Sequence, residues 1–88
     1  LDHLSGGRAA VNIVTSTTTQ EAQNFGREAH FDHAERYRRA TEFVAVTRAL
    51  WDSWEDGAVV ADKEAAIFAD PAKVHHLDHR GTDFAVRG

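Results

Sequence analysis

Apolar positions along this 88-residue chain fall into one short block, one helical stripe and several scattered pairs. Residues 9–14, Ala-Ala-Val-Asn-Ile-Val, are a brief, mostly apolar run with glycine before it and hydroxyl residues after it. The run does not alternate, so it predicts a strand covered on both faces, as in a parallel sheet flanked by helices. Ahead of it, Leu1-Asp2-His3-Leu4 reads as a helix tail closed by Ser5-Gly6-Gly7. After it the periodicity disappears across residues 15–31, which hold three consecutive threonines, one expected helical turn at 20–24, and Gly26. Strand-to-helix links usually take about 2–6 residues, and longer ones are often binding loops.

The strongest element follows. Asp32 and Glu35 make an Asp-x-x-Glu capping box, and the next two dozen residues contain helix formers without glycine or proline. Tyr37, Ala40, Val44, Thr47 and Trp51 recur at helical spacing, and Phe43, Val46, Leu50 and Trp54 widen that face. Phe43, Trp51 and Trp54 are therefore expected to be packing residues, with Arg36, Arg39 and Glu42 on the wet side and Asp56-Gly57 as the helix end. Residues 58–61 fit a short strand or a turn of helix, and residues 63–69 carry no pattern. Asp70-Pro71 predicts a single helical turn. Two short strands, 75–79 and 82–86, are expected to turn at Arg80-Gly81.

Strand, long loop, amphipathic helix and hairpin define an α/β chain with one βα unit. One such unit cannot cover both faces of its strand, so the sequence implies further structure, from a longer parent chain or from association. A fragment is the favoured expectation. Composition narrows the function. There is no cysteine, which excludes a disulfide framework and a thiolate nucleophile or zinc site and fits a reducing, cytoplasmic setting. Fourteen acids against ten bases give a net charge of −4, without the basic stripe that nucleic acid binding uses. No apolar run approaches the ~18–20 residues of a membrane span, and no secretory signal is visible.

His75, His76, Asp78 and His79 form a conspicuous cluster. On a strand His76 faces away from His75 and His79, whereas a metal site needs converging ligands, so no metal site is expected there. His30 and His33 are not expected to bind metal either. Asp52, Glu55 and Asp56 read as solvated carboxylates. Thr15 and Ser16 end the expected strand, and Tyr37 falls in the first turns of the helix. Hydroxyls on such a rim, beside unpaired amides and a helix's positive end, can hold a phosphate.

Taken in order, several motifs resemble a known family. They are Leu1-Asp2-His3-Leu4-Ser5-Gly6-Gly7-Arg8, Asn12-Ile13-Val14-Thr15-Ser16, Asn24-Phe25-Gly26, Glu35-Arg36-Tyr37 and Arg48-Ala49-Leu50-Trp51-Asp52-Ser53-Trp54. Phe68-Ala69-Asp70-Pro71 and Lys73-Val74-His75 continue the series. The set is similar to the nitrilotriacetate, pristinamycin and dibenzothiophene-sulfone branch of the bacterial-luciferase-like flavin monooxygenases. That resemblance implies a (β/α)8 TIM barrel, of which residues 1–88 would be a partial segment around the fourth βα unit. It implies reduced FMN delivered by a separate NAD(P)H-dependent flavin reductase and oxygenation of a small organic substrate. A homo-oligomer is also expected. The resemblance also implies that Ser16 and Tyr37, supported by Thr15, bind the FMN phosphate, while the catalytic residues stay unassigned. The alternative expectation is a noncatalytic remnant or a small self-associating helical module without flavin activity.

The chain departs from the family pattern at several places. Ala10-Val11 replace a glycine and a bulky aromatic, and Thr17 stands where some relatives have a histidine, so no catalytic histidine is carried over. Ala34 replaces an acid at the helix start, and Ala65-Ala66 replace Ser-Gly.

Overall fold

Gly6 ends the first element. It adopts the left-handed region (φ 67°, ψ 42°), which costs a residue without a Cβ little. Its N–H then reaches the His3 carbonyl and the Gly7 N–H reaches that of Asp2, closing helix α1 (Asp2–Ser5) as the sequence predicts. The computed structural model describes residues 1–88 and separates into two units, Leu1–His33 and Ala34–Gly88.

In the first unit the expected strand at 9–14 does not form. Residues 8–18 hold no regular structure, and Val11 and Val14 are 64% and 69% exposed. A parallel strand needs neighbours for its amides and carbonyls, and the chain's two sheets are separate antiparallel pairs made by other residues. Helix α2 (Thr19–Asn24) realises the expected turn and has a start signal the sequence reading passed over. Thr18 Oγ1 accepts from the Glu21 N–H at 3.4 Å while Glu21 Oε2 accepts from the Thr18 N–H at 3.0 Å, a reciprocal capping box. Ala22 is the buried residue of this unit.

The second unit is built on helix α3, which begins at His33 and runs to Asp52. Val46 is its buried residue, flanked by half-buried Ala40, Val44, Thr47, Ala49 and Leu50. The expected packing of the aromatics is corrected: Trp51 is 63% exposed, and Phe43 and Trp54 are also exposed. Phe43 nonetheless meets the Phe84 ring, with 6.0 Å between ring centres.

The helix ends at Asp52, before the expected Asp56-Gly57, because the chain finds distant partners. Trp54 bridges to Val74, the Glu55 N–H donates to the Lys73 carbonyl, and the His75 N–H donates to that of Ser53. Helical propensity is a weak preference that such pairing overrides. Strands β1 (Val59–Asp62) and β2 (Ile67–Ala69) form an antiparallel hairpin, Val59 opposite Ala69 and Asp62 opposite Ile67. Asp62 Oδ1 accepts from the Glu64 and Ala65 amides in its turn. Ala58, at the hairpin's base, is 2% exposed, and its carbonyl accepts from the Asp70 N–H at 2.8 Å.

Asp70 then caps a 3-10 turn, Pro71–Lys73, as expected. The last hairpin is shorter than its sequence pattern: β3 is His79–Arg80 and β4 is Ala85–Val86, while residues 75–78 are irregular. Asp78 takes a left-handed φ of 51°, which no extended strand accommodates. No helix is long and apolar enough to cross a membrane.

Candidate cofactor-phosphate site

The loop that follows residue 14 presents hydroxyls. Thr15 and Ser16 are half-buried, and Ser16 holds a φ of 58°. Left-handed backbone is unfavourable for a residue with a Cβ, by roughly 1–2 kcal/mol, and such outliers concentrate at ligand sites. No hydrogen bond within the chain engages the Ser16 hydroxyl. The two next amides are occupied, because Glu21 Oε2 accepts from both Thr17 and Thr18 N–H at 3.0 Å. Those amides, Thr18 first, hold the Glu21 carboxyl below its ordinary pKa. The Thr15 hydroxyl is likewise in no hydrogen bond within the chain.

Tyr37 lies in the second unit, at the end of the first turn of α3. The residue is 54% exposed, and its carbonyl accepts from Thr41 Oγ1 at 2.9 Å. The start of α3 brings the positive end of the helix dipole close to this phenol. In the first unit Arg27 lies over the Phe31 ring at 3.6 Å. Neither ring nitrogen of His30 has a hydrogen-bond partner.

The histidine cluster divides among separate partners. His75 Nε2 meets Glu55 Oε1 at 2.6 Å, His76 Nδ1 meets the Gly88 carbonyl at 3.2 Å, and His79 Nε2 meets Glu42 Oε1 at 2.8 Å. Glu42, assigned to the wet face of the helix, is instead half-buried. Its Oε2 accepts from the Asp83 N–H at 2.8 Å, and its Oε1 from the Phe84 N–H at 3.2 Å. The His79 hydrogen bond, with the Asp83 and Phe84 amides, holds the Glu42 carboxyl below its ordinary value against the opposing effect of burial. No sequence period marks Glu42, since its partners lie 37 to 42 residues away.

The chain belongs to the luciferase-like monooxygenase family, whose model matches residues 1–84. The dibenzothiophene-sulfone monooxygenase of Rhodococcus erythropolis is 53% identical over 88 residues, all of this chain and 19% of that protein. Nitrilotriacetate monooxygenase component A of Aminobacter aminovorans is 50% identical over the same length, again 19% of that protein. The crystal structure of long-chain alkane monooxygenase (LadA) superimposes with a TM-score of 0.82 at 46% identity, covering 99% of this chain and 20% of that one. The chain thus spans about a fifth of the length of the relatives it matches, and the match runs through the whole ordered series of motifs.

Proposed function

We propose that the protein carrying this segment is a two-component, FMN-dependent monooxygenase that uses reduced flavin and O2 to oxygenate a small organic substrate. The family match along the whole chain carries this reading. In it, residues 1–88 are a wall piece around the fourth βα unit of a (β/α)8 barrel. Barrel active sites lie where strands end and helices begin, and the exposed apolar residues of 11–14 and α3 would be covered by the rest of the barrel. A separate NAD(P)H-dependent flavin reductase, a cytoplasmic setting and a homo-oligomer complete the reading.

Ser16 and Tyr37, with Thr15 in support, would hold the phosphate of FMN. The unengaged Ser16 hydroxyl and the Tyr37 phenol are neutral donors, the group type that binds a phosphate without forming an ion pair. Reduced flavin, when bound, supplies the electrons that activate O2, and in such enzymes the cofactor carries the hard chemistry. What these residues contribute is binding and orientation of one end of the cofactor.

The test compares FMN with riboflavin, which lacks the phosphate, in the longest reading frame that contains the segment. Tyr37→Phe and Ser16→Ala should each weaken FMN binding about tenfold, since a hydrogen bond to a charged group contributes about 1.5–3 kcal/mol. Riboflavin binding should not change. Reductase-coupled oxygen uptake should require FMN. Wild-type protein that binds FMN no better than riboflavin, or takes up no oxygen with reduced FMN, would sink the proposal.

A further inference from the structure

The first half of α3 is braced along one side by the turn between β3 and β4, and Glu42 is the centre of that brace. Arg38 and Glu42 are one helical turn apart, as are Arg39 and Phe43, so the two pairs stand on adjacent rows of the helix. Arg38 makes a two-point ion pair with Asp83, at 2.7 and 3.2 Å, and the Asp83 side chain is 9% exposed. The same residue's N–H is held by Glu42. Arg39 lies 4.7 Å over the Phe84 ring, and the Phe43 ring centre is 6.0 Å from that of Phe84.

Gly81 completes the arrangement. Its N–H donates to the Phe84 carbonyl, closing the turn, and a Cβ on it would run into the Glu42 carboxylate and the His79 ring. A side chain at residue 81 would therefore push the Glu42 carboxylate and the His79 ring out of the positions they hold. Three donors converge on one carboxylate: the His79 ring, the Asp83 amide and the Phe84 amide. Charge-assisted bonds of this kind are the stronger ones in proteins.

Tyr37 immediately precedes the first residue of the brace. Tyr37 and Glu42 belong to the same continuous helix, so a displacement of the segment fastened by the brace is carried to the phenol one turn away. Glu42 itself stands five residues, about 7.5 Å of helix rise, beyond Tyr37. A carboxylate there would repel a phosphate, so a ligand role is excluded on charge.

We propose, resting on the flavin reading above, that Glu42 is a positioning residue: by fastening the Gly81–Phe84 turn to α3 it holds the Tyr37 end of the helix in the place that the cofactor phosphate requires. It acts through the turn and touches no cofactor. Displacement of a binding group by a fraction of an ångström is enough to be felt, as misplacements of about 1 Å can cost a hundredfold.

The experiment measures FMN and riboflavin affinities by flavin fluorescence in the longest reading frame carrying the segment. It uses wild type, Glu42→Ala, Glu42→Gln and Asp83→Asn. Glu42→Ala should weaken FMN about tenfold while leaving riboflavin within twofold, because only the phosphate end is displaced. Glu42→Gln keeps one acceptor oxygen and should fall between that variant and wild type. Should Glu42→Ala fail to fold, Asp83→Asn removes the Arg38 ion pair, keeps both amide bonds, and should still weaken FMN selectively. Equal losses for FMN and riboflavin mean a general structural role, and no loss for either means an idle contact; each overturns the proposal. A wild-type protein without preference for FMN sinks the flavin reading instead, and Tyr37→Phe in parallel tells the two failures apart.

Discussion

Ala66 has a φ of 56° in the four-residue turn joining β1 to β2. Glycine, which the resemblance leads one to expect there, has a physical advantage: left-handed backbone costs an alanine about 1–2 kcal/mol and a glycine almost nothing. Against that, glycine raises the entropy of the unfolded chain by about 0.4–1 kcal/mol. Ala66→Gly should therefore stabilise the hairpin by about 0.5–1 kcal/mol, the difference between the two terms. The hairpin is exposed, with Phe68 at 67% and Ile67 at 46%, so it opens locally and a global melt would miss much of the gain. Amide exchange is the better assay. The Asp70 N–H, bonded to the Ala58 carbonyl at 2.8 Å, and the β1–β2 ladder amides should exchange about two- to fivefold more slowly. Amides of α3 should be unaffected. Unchanged or faster exchange in the hairpin would refute the reasoning, because the strain at residue 66 would then not be what limits it.

Two further outcomes follow from the second unit. Val46, 5% exposed, loses two methyl groups in Val46→Ala; the transfer loss of about 0.8 kcal/mol for each, partly offset by alanine's better helix propensity, leaves a destabilisation of about 1–2 kcal/mol. Denaturant unfolding with unchanged m-value would show it, and a neutral result would remove Val46 from the core. Glu42, its carboxyl held low by His79 and by the Asp83 and Phe84 amides, contributes stability that is present above the ordinary carboxylate value of 4.5 and is lost as pH falls through its lower folded value. Arg38, Arg39, His79 and Asp83 are the charged or titratable groups around it, and its effect is isolated by difference. The stability gap between wild type and Glu42→Gln should therefore be constant at neutral pH and shrink below about pH 4.5. A gap that persists to pH 2 would mean the charge of Glu42 is irrelevant.

Local signals in the sequence determined the elements that depend on near neighbours. Gly6 after a helix tail, the turn at Thr19–Asn24, the long helix from His33 and the Asp70-Pro71 turn are each written within a few residues, because capping and helix formation connect groups three or four positions apart. Family membership was equally legible, since an ordered series of short motifs survives without any knowledge of contacts. Ser16 and Tyr37 were named from the same series, and the structure adds that Ser16 is left-handed and its hydroxyl unengaged.

Only the tertiary structure decided what depends on distant partners. The apolar run at 9–14 is a strand only where other strands supply its hydrogen bonds, and its Val11 and Val14 stand exposed without them. Helix α3 stops at Asp52 because Ser53 to Glu55 pair with residues 73–75, a choice no helical periodicity encodes. Nothing local distinguishes Glu42 from a solvated acid. Its three donors come from the far end of the chain, and a carboxylate's role is set by the groups that surround it in space.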